Sequence, residues 1–117
     1  MLLIGSSAIK HYFPDFPRSP KDVDYAVNEH MLNTKDTEYL YNPIIGHLDG
    51  IADINTLYTL KMSHAIGWEI NWDKHMFDIQ FLKSKGAELD KPLFDKLYSF
   101  WNEYHNPNRR SDLEMSA

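Results

Sequence analysis

Residues 5–27 read GSSAIKHYFPDFPRSPKDVDYAV, directly after the apolar opening Met1-Leu2-Leu3-Ile4. Four apolar residues stopped by a glycine predict a short buried strand. Gly5-Ser6 is a turn, and Ser6 or Ser7 is a suitable N-cap for a helix over about Ala8 to Phe13. Pro14, Pro17 and Pro20 then forbid regular helix and predict an extended loop carrying Asp15, Arg18 and Lys21. That loop reads as a stiff connector ahead of a ligand-touching one. Asp22-Val23-Asp24-Tyr25-Ala26-Val27 reads as a strand. Val23, Tyr25 and Val27 fall on one face, with Asp22 and Asp24 together on the other.

Beyond Val27, residues 28–37 are polar and read as loop. Glu38-Tyr39-Leu40-Tyr41 and Pro43-Ile44-Ile45, separated by Asn42, predict one or two further strands, and residues 46–50 a turn. A helix is expected from Ile51 or Asp53 to Ile66, closed by Gly67, with Ile54, Leu57, Tyr58 and Lys61 on one side. A second opens at Asn71 or Trp72, carries Trp72, Met76, Ile79 and Leu82 at helical spacing, and closes at Gly86. The last, about Lys91 to His105, lines up Phe94, Leu97, Trp101 and Tyr104, a stripe with the spacing of a packed helix face rather than a base-stacking platform. Asn106-Pro107-Asn108 ends it, and a charged tail runs to Ala117. The class is therefore α+β: a small mixed sheet with helices packed on it and a helical C-terminal half. The expected organisation is one domain, with the sheet in residues 1–50, the helices in 51–105 and a tail in 106–117.

Composition narrows the function. The chain has 117 residues, 43% of them hydrophobic and 14% aromatic, enough to bury a core. A formal net charge of -5 speaks against a broad DNA-binding surface, which needs clustered Lys and Arg. There are no cysteines, so disulfides and thiolate metal sites are excluded. No apolar run approaches the roughly 20 residues of a membrane span, and the opening is too short for a signal-peptide core. A cytoplasmic protein is the expectation.

Two carboxylates at i and i+2 of a strand share a face and repel unless something positive lies between them. Hard oxygen ligands on a rigid strand suit Mg²⁺, which takes one or two carboxylates plus phosphate oxygens and water. A glycine turn opening a helix supplies backbone N–H groups for an anion. A phosphate cradle beside a metal-binding acid pair is the apparatus of phosphoryl or nucleotidyl transfer.

An apolar strand, Gly5-Ser6, a helix and then Asp22-Val23-Asp24-Tyr25 in a second strand resembles the signature of the nucleotidyltransferase superfamily that includes DNA polymerase β. The resemblance implies Gly5 and Ser6 as phosphate-binding residues and Asp22 and Asp24 as Mg²⁺ ligands and catalytic residues. A third carboxylate on a later strand is also implied. Glu38 is the best seat for it, with Asp49 and Asp53 behind. The loop between Ser6 and Asp22 is longer than compact members of that family use.

A second constellation lies in the helical half. Leu57-x-x-Leu60-Lys61-x-Ser63-His64, then Lys74-His75-x-x-Asp78-Ile79-x-Phe81-Leu82, is similar to a group of mainly bacteriophage proteins with the same opening. Longer members of that group continue past the point where this chain stops, which implies a shortened member or a piece. Lys61 and His64 share a helix face, as do His75 and Asp78, and Lys74 with Asp78. Converging, Lys61, Lys74 and His64 would receive a phosphate. Alternatively His64, His75 and Asp78 would hold Zn, Mn or Fe. A third reading is an ordinary Lys74–Asp78 surface pair with His64 half-buried near a helix end. His11, His30, His47 and His105 show no spacing that favours a role.

The expected function is an Mg²⁺-dependent nucleotidyltransferase-like protein that moves a nucleoside monophosphate from a nucleotide triphosphate to a protein or RNA acceptor, or to a second subunit of a homodimer. The alternative is a binding protein of phage type that occupies a nucleotide or a host protein without catalysis. A nuclease or phosphohydrolase on His64, His75 and Asp78 is the weakest reading.

Overall fold

The computed structural model describes residues 1–67 and 72–105. The chain forms two compact units, Met1–Leu57 and Tyr58–Ala117. The class is α+β, with a four-stranded mixed sheet in the first unit and helices in the second. The expected helix start at Asn71, the break at Asn106-Pro107-Asn108 and the tail to Ala117 lie outside the described residues, as do the side chains of Trp72 and Tyr104.

In the first unit the elements run β1 (Leu2–Ile4), α1 (Gly5–Tyr12), β2 (Val23–Val27), β3 (Thr37–Tyr41) and β4 (Gly50–Ile51). The strand order is β3-β2-β1-β4. β1 pairs antiparallel with β2, placing Ile4 opposite Asp24, and parallel with β4. β2 and β3 are parallel, with Asp24 opposite Glu38 and Tyr25 opposite Tyr39. Strand alternation then puts Leu2, Ile4, Ala26 and Leu40 on one face together with Asp24 and Glu38. On the other face Tyr25 stacks on Tyr39, with ring centres 6.1 Å apart.

A parallel pair is ordinarily joined by a crossover of a dozen or more residues, usually a helix. Here residues 28–36 suffice, because the return leg lies beside the outer edge of β3. His30 stacks over Tyr41 at the far end of β3, with ring centres 4.1 Å apart. Farther back, the Asn33 side chain accepts from Tyr39 N (2.7 Å), and Thr34 N donates to Thr37 O (2.9 Å). The loop so occupies a donor of an edge strand that would otherwise be open to another chain.

Three local expectations are corrected. Helix α1 begins at Gly5, with Ile4 at the cap position and no side-chain cap. Ser6 and Ser7 do not cap it because both hydroxyls bond elsewhere. The strand expected over Pro43–Ile45 is a turn. Its apolar residues are gathered by Asn42, a fully buried side chain whose Oδ1 accepts from Ile44 N (3.0 Å) and Ile45 N (3.4 Å). Gly46 N closes the turn on Asn42 O (2.7 Å). Residues 50–51, expected as turn and helix start, form β4 against β1, too short for any alternation to show.

The second unit takes its helices from α2 (Ile54–Gly67, which begins before the unit boundary), α3 (Trp72–Ser84) and α4 (Lys91–Phe100), followed by a π-helical turn (Trp101–His105). Gly86, at φ 91°, closes α3 as expected, with Ala87 N donating to Leu82 O (3.1 Å). Asp90 caps α4 by accepting from Leu93 N (3.2 Å). Its own N–H donates to Thr59 Oγ1 on α2 (2.9 Å), which ties the start of α4 to α2. Leu97 and Trp101, from the expected aromatic stripe, are buried.

Of the glycines in the first unit, Gly46 leaves the least room for a side chain. A Cβ there would lie 2.3 Å from Val27 C and 2.6 Å from Asn42 O, both main-chain atoms that cannot swing aside. Gly46→Ala is expected to cost about 1–3 kcal/mol, at the upper end of that range, as overpacking against backbone. A urea titration reads this as a lower midpoint at unchanged slope.

Candidate functional site

Gly5 has φ +72°, and a Cβ on it would meet Asp24 Oδ2 at 2.6 Å. The residue is glycine for two reasons. Its backbone lies in the left-handed region, and its missing side chain is replaced by the Asp24 carboxylate. That carboxylate therefore stands at the N-terminus of α1, where the helix dipole favours negative charge. The first-turn amides of α1 carry no side-chain cap. Ser7 Oγ donates to the backbone carbonyl of Asp22 (3.2 Å), tying this turn to the residue before β2. The Ser6 hydroxyl, nine-tenths buried, accepts from Arg18 Nη2 (3.2 Å).

Asp22 and Asp24 are not an i, i+2 pair of one strand. β2 starts at Val23 and Asp22 lies in the bend before it, so strand alternation does not govern its side chain. The register neighbour of Asp24 is Glu38 on β3, exposed and on the same face. Adjacent strands lie about 4.8 Å apart. The other two candidates for a third carboxylate are engaged elsewhere. Asp49 takes a bond from the Met1 ammonium (2.8 Å), and that hydrogen bond together with its charge holds the Asp49 carboxyl below its ordinary value. Asp53 Oδ1 accepts from Thr56 N (2.7 Å) as a cap of α2. Among the described residues no three His, Asp or Glu side chains are grouped so as to hold a metal, and Asp22, Asp24 and Glu38 are included in that statement.

The loop between Ser6 and Asp22 is more than a connector in its structure. Phe16 is fully buried. Its carbonyl accepts from Lys10 Nζ on α1 (2.6 Å), and its N–H donates to Phe13 O (2.9 Å). The Arg18 guanidinium lies 5.5 Å from the Phe16 ring centre and reaches Ser6. Nothing in the residue spacing points to this contact, since it depends on how the three prolines turn the chain.

In the second unit the polar faces of α2 and α3 do converge. Lys61 Nζ lies 3.0 Å from Asp78 Oδ2, with side chains 10% and 0% exposed. His75 Nδ1 is 3.4 Å from the same ammonium, and the His75 and His64 rings meet edge to face, with centres 5.7 Å apart. His64 also sits edge-on to Trp101, at 4.7 Å. The partner of Asp78 is thus Lys61 on the facing helix, in place of the expected Lys74. Lys74 is exposed and has no ion pair among the described residues. The sequence did carry a signal. Asp78 precedes Ile79 and is one turn from Leu82, both buried, and Lys61 is one turn from buried Leu57 and Tyr58. A charge on an apolar helix face is almost never buried without a partner, so the two faces call for each other.

A family model described as a domain of unknown function, DUF7275, matches residues 56–117, more than half of the chain. The chain belongs to this family. The DUF7275 match and the second compact unit start at nearly the same point, Thr56 and Tyr58. The match takes in Lys61, His64, Lys74, His75 and Asp78, and the Gly5–Val27 stretch precedes it. No curated protein and no solved structure matches the chain.

The buried Lys61–Asp78 pair makes a specific prediction. Lys61→Met leaves the fully buried Asp78 carboxylate without its ammonium and is expected to cost about 3–5 kcal/mol. Lys61→Met combined with Asp78→Leu should regain most of that loss, because two apolar side chains leave no buried charge. Urea midpoints of the single and double variants test this. A double variant no more stable than the single one would show that the pair is not what holds these helices.

Proposed function

We propose that the Gly5-Ser6 turn, Asp24 and Glu38 form the site of an Mg²⁺-dependent nucleotidyl transfer. The substrate class is a nucleoside triphosphate, and the acceptor is a hydroxyl on a protein, on RNA or on a second copy of the chain. The observation that carries this reading is the seat of Asp24, which fills the space left by Gly5 at the uncapped start of α1 and has Glu38 as its register neighbour. Phosphate-binding amides and two acids thereby belong to one end of the sheet.

The donor set fits Mg²⁺, since two carboxylates complete their share of a shell otherwise made of phosphate oxygens and water. Asp24 would be the central ligand, with Glu38 across the sheet and Asp22 before it in the chain. Bound there, the ion supplies positive charge to the triphosphate oxygens. The chain's own groups do the rest. The α1 amides orient the phosphates. Glu38, exposed beside Asp24, takes the proton of the acceptor hydroxyl. The acceptor oxygen bonds to the α-phosphorus as the bond to the bridging oxygen breaks, and pyrophosphate leaves. The resemblance to the nucleotidyltransferase superfamily, and to its bacteriophage group, agrees with this, as does action in a host cytoplasm.

A second reading is favoured by one observation. Asp22, Asp24 and Glu38 are not gathered as three metal ligands. A site with only two acids in register suits a module that holds a nucleotide, or occupies a host protein, without transfer.

Calorimetry with ATP, GTP, CTP and UTP, each with and without Mg²⁺, tests the site. One nucleotide should bind only with Mg²⁺, and Asp24→Asn should weaken it by roughly tenfold or more. Absence of Mg²⁺-dependent binding with all four, or unchanged binding by Asp24→Asn, would sink the proposal. Labelled nucleotide incubated with a cell extract then separates the two readings. Transfer of the label to an acceptor means an enzyme, and binding without transfer means a holding module.

A further inference from the structure

The proposed site has acids and helix amides, and a triphosphate needs cations from the protein as well. Two of the described lysines are already engaged elsewhere. Lys61 is committed to the buried Asp78 at 3.0 Å. Lys10 is committed to the Phe16 carbonyl at 2.6 Å. Lys74 is an exposed residue of α3, in the second unit. Arg18 is different, because its guanidinium already touches the proposed phosphate turn, through Ser6 Oγ at 3.2 Å.

We infer that Arg18 is the cation that binds the polyphosphate tail of the nucleotide, and that the Pro14–Pro20 loop is the second wall of the phosphate site. This rests on the reading of the Gly5-Ser6 turn given above. Three observations support it. The contact joins Arg18 to the very hydroxyl that opens α1, so a phosphate on the first-turn amides lies within reach of both groups. The arginine is held in place: its guanidinium lies over Phe16, which is fully buried and bonded at both its N–H and its carbonyl. Three prolines fix φ along the same loop, so little conformational freedom is lost when a ligand arrives. The chemistry also suits arginine, whose planar fork takes two oxygens of one phosphate and stays charged while stacked on an aromatic ring.

In this arrangement the Arg18–Ser6 bond marks where the phosphate goes. A bound polyphosphate replaces it, receiving the guanidinium N–H groups and the Ser6 hydroxyl together. The long loop, a departure from compact nucleotidyltransferases, is then what carries the cation to the turn.

The test is calorimetry with inorganic tripolyphosphate and Mg²⁺, which needs no knowledge of the base, alongside the nucleoside monophosphate of whichever nucleotide binds. Arg18→Ala and Arg18→Gln should each weaken tripolyphosphate by about tenfold or more, as the loss of a charge-assisted bond requires. The monophosphate should change much less. Arg18→Gln keeps a polar side chain with an N–H donor and removes the charge, so it carries the test if Arg18→Ala fails to fold. Full-strength tripolyphosphate binding by folded Arg18→Gln, with binding lost in Asp24→Asn, overturns the role of Arg18 and leaves the site standing. No tripolyphosphate or nucleotide binding by the wild type removes the site and this inference together.

Discussion

The close approach of Gly5 to Asp24 is the constraint on which the sheet half of this protein depends. A left-handed residue straight after β1 turns the chain at once into α1, with no linker. Only glycine takes that conformation cheaply, and only glycine leaves the space that the Asp24 carboxylate fills. The same step brings an acid to the positive end of a helix, where its charge is favoured. Ile4 is opposite Asp24 in the β1–β2 pairing, so the position of the acid is fixed by the ladder as well as by the turn. The ladder fixes the backbone of Asp24 and the glycine turn fixes the space its carboxylate fills.

Economy of chain shapes the rest of the first unit. A helix between β2 and β3 would have lengthened the unit and covered a face of the sheet. The loop returns without a helix, pinned by His30 on Tyr41 and by Asn33 on Tyr39. One consequence is chemical. No crossover helix separates the acid pair from solvent, and Glu38 stays exposed beside Asp24. Protection of the β3 edge and access to the candidate site therefore follow from the same nine-residue path, residues 28–36.

The second unit handles charge in the opposite way. Lys61 and Asp78 are withdrawn from water and matched to each other, with His75 as a further neighbour of the ammonium. Such a pair adds little net stability over apolar residues, since desolvation offsets most of the attraction. It does specify which faces of α2 and α3 meet, because any other pairing would strand a buried charge. This makes Lys61 a poor phosphate ligand and a good register pin.

What could be read from the sequence follows from how local each cause is. β1, the Thr37–Tyr41 strand, the helices and the Gly86 stop were legible, because periodicity and caps act within a few residues. The turn at residues 42–46 was not. Pro43-Ile44-Ile45 has the apolar character of a strand, and only a buried Asn42 and a backbone-jammed Gly46 decide otherwise. At the site, Gly5 and Asp24 were each singled out, for different roles, and Glu38 was a candidate, yet their approach in space was not legible, and the i, i+2 spacing of Asp22 and Asp24 suggested a shared face. That inference assumed that the strand included Asp22. With the strand starting at Val23, the register neighbour of Asp24 is Glu38, a relation across the sheet that no spacing within the sequence can express. Lys61 and Asp78 show the complementary case. Each is a charge within a turn of buried apolar residues, and each alone is an exception. Taken together, two such exceptions on consecutive helices amount to a contact, because buried charges of opposite sign satisfy each other at the lowest cost.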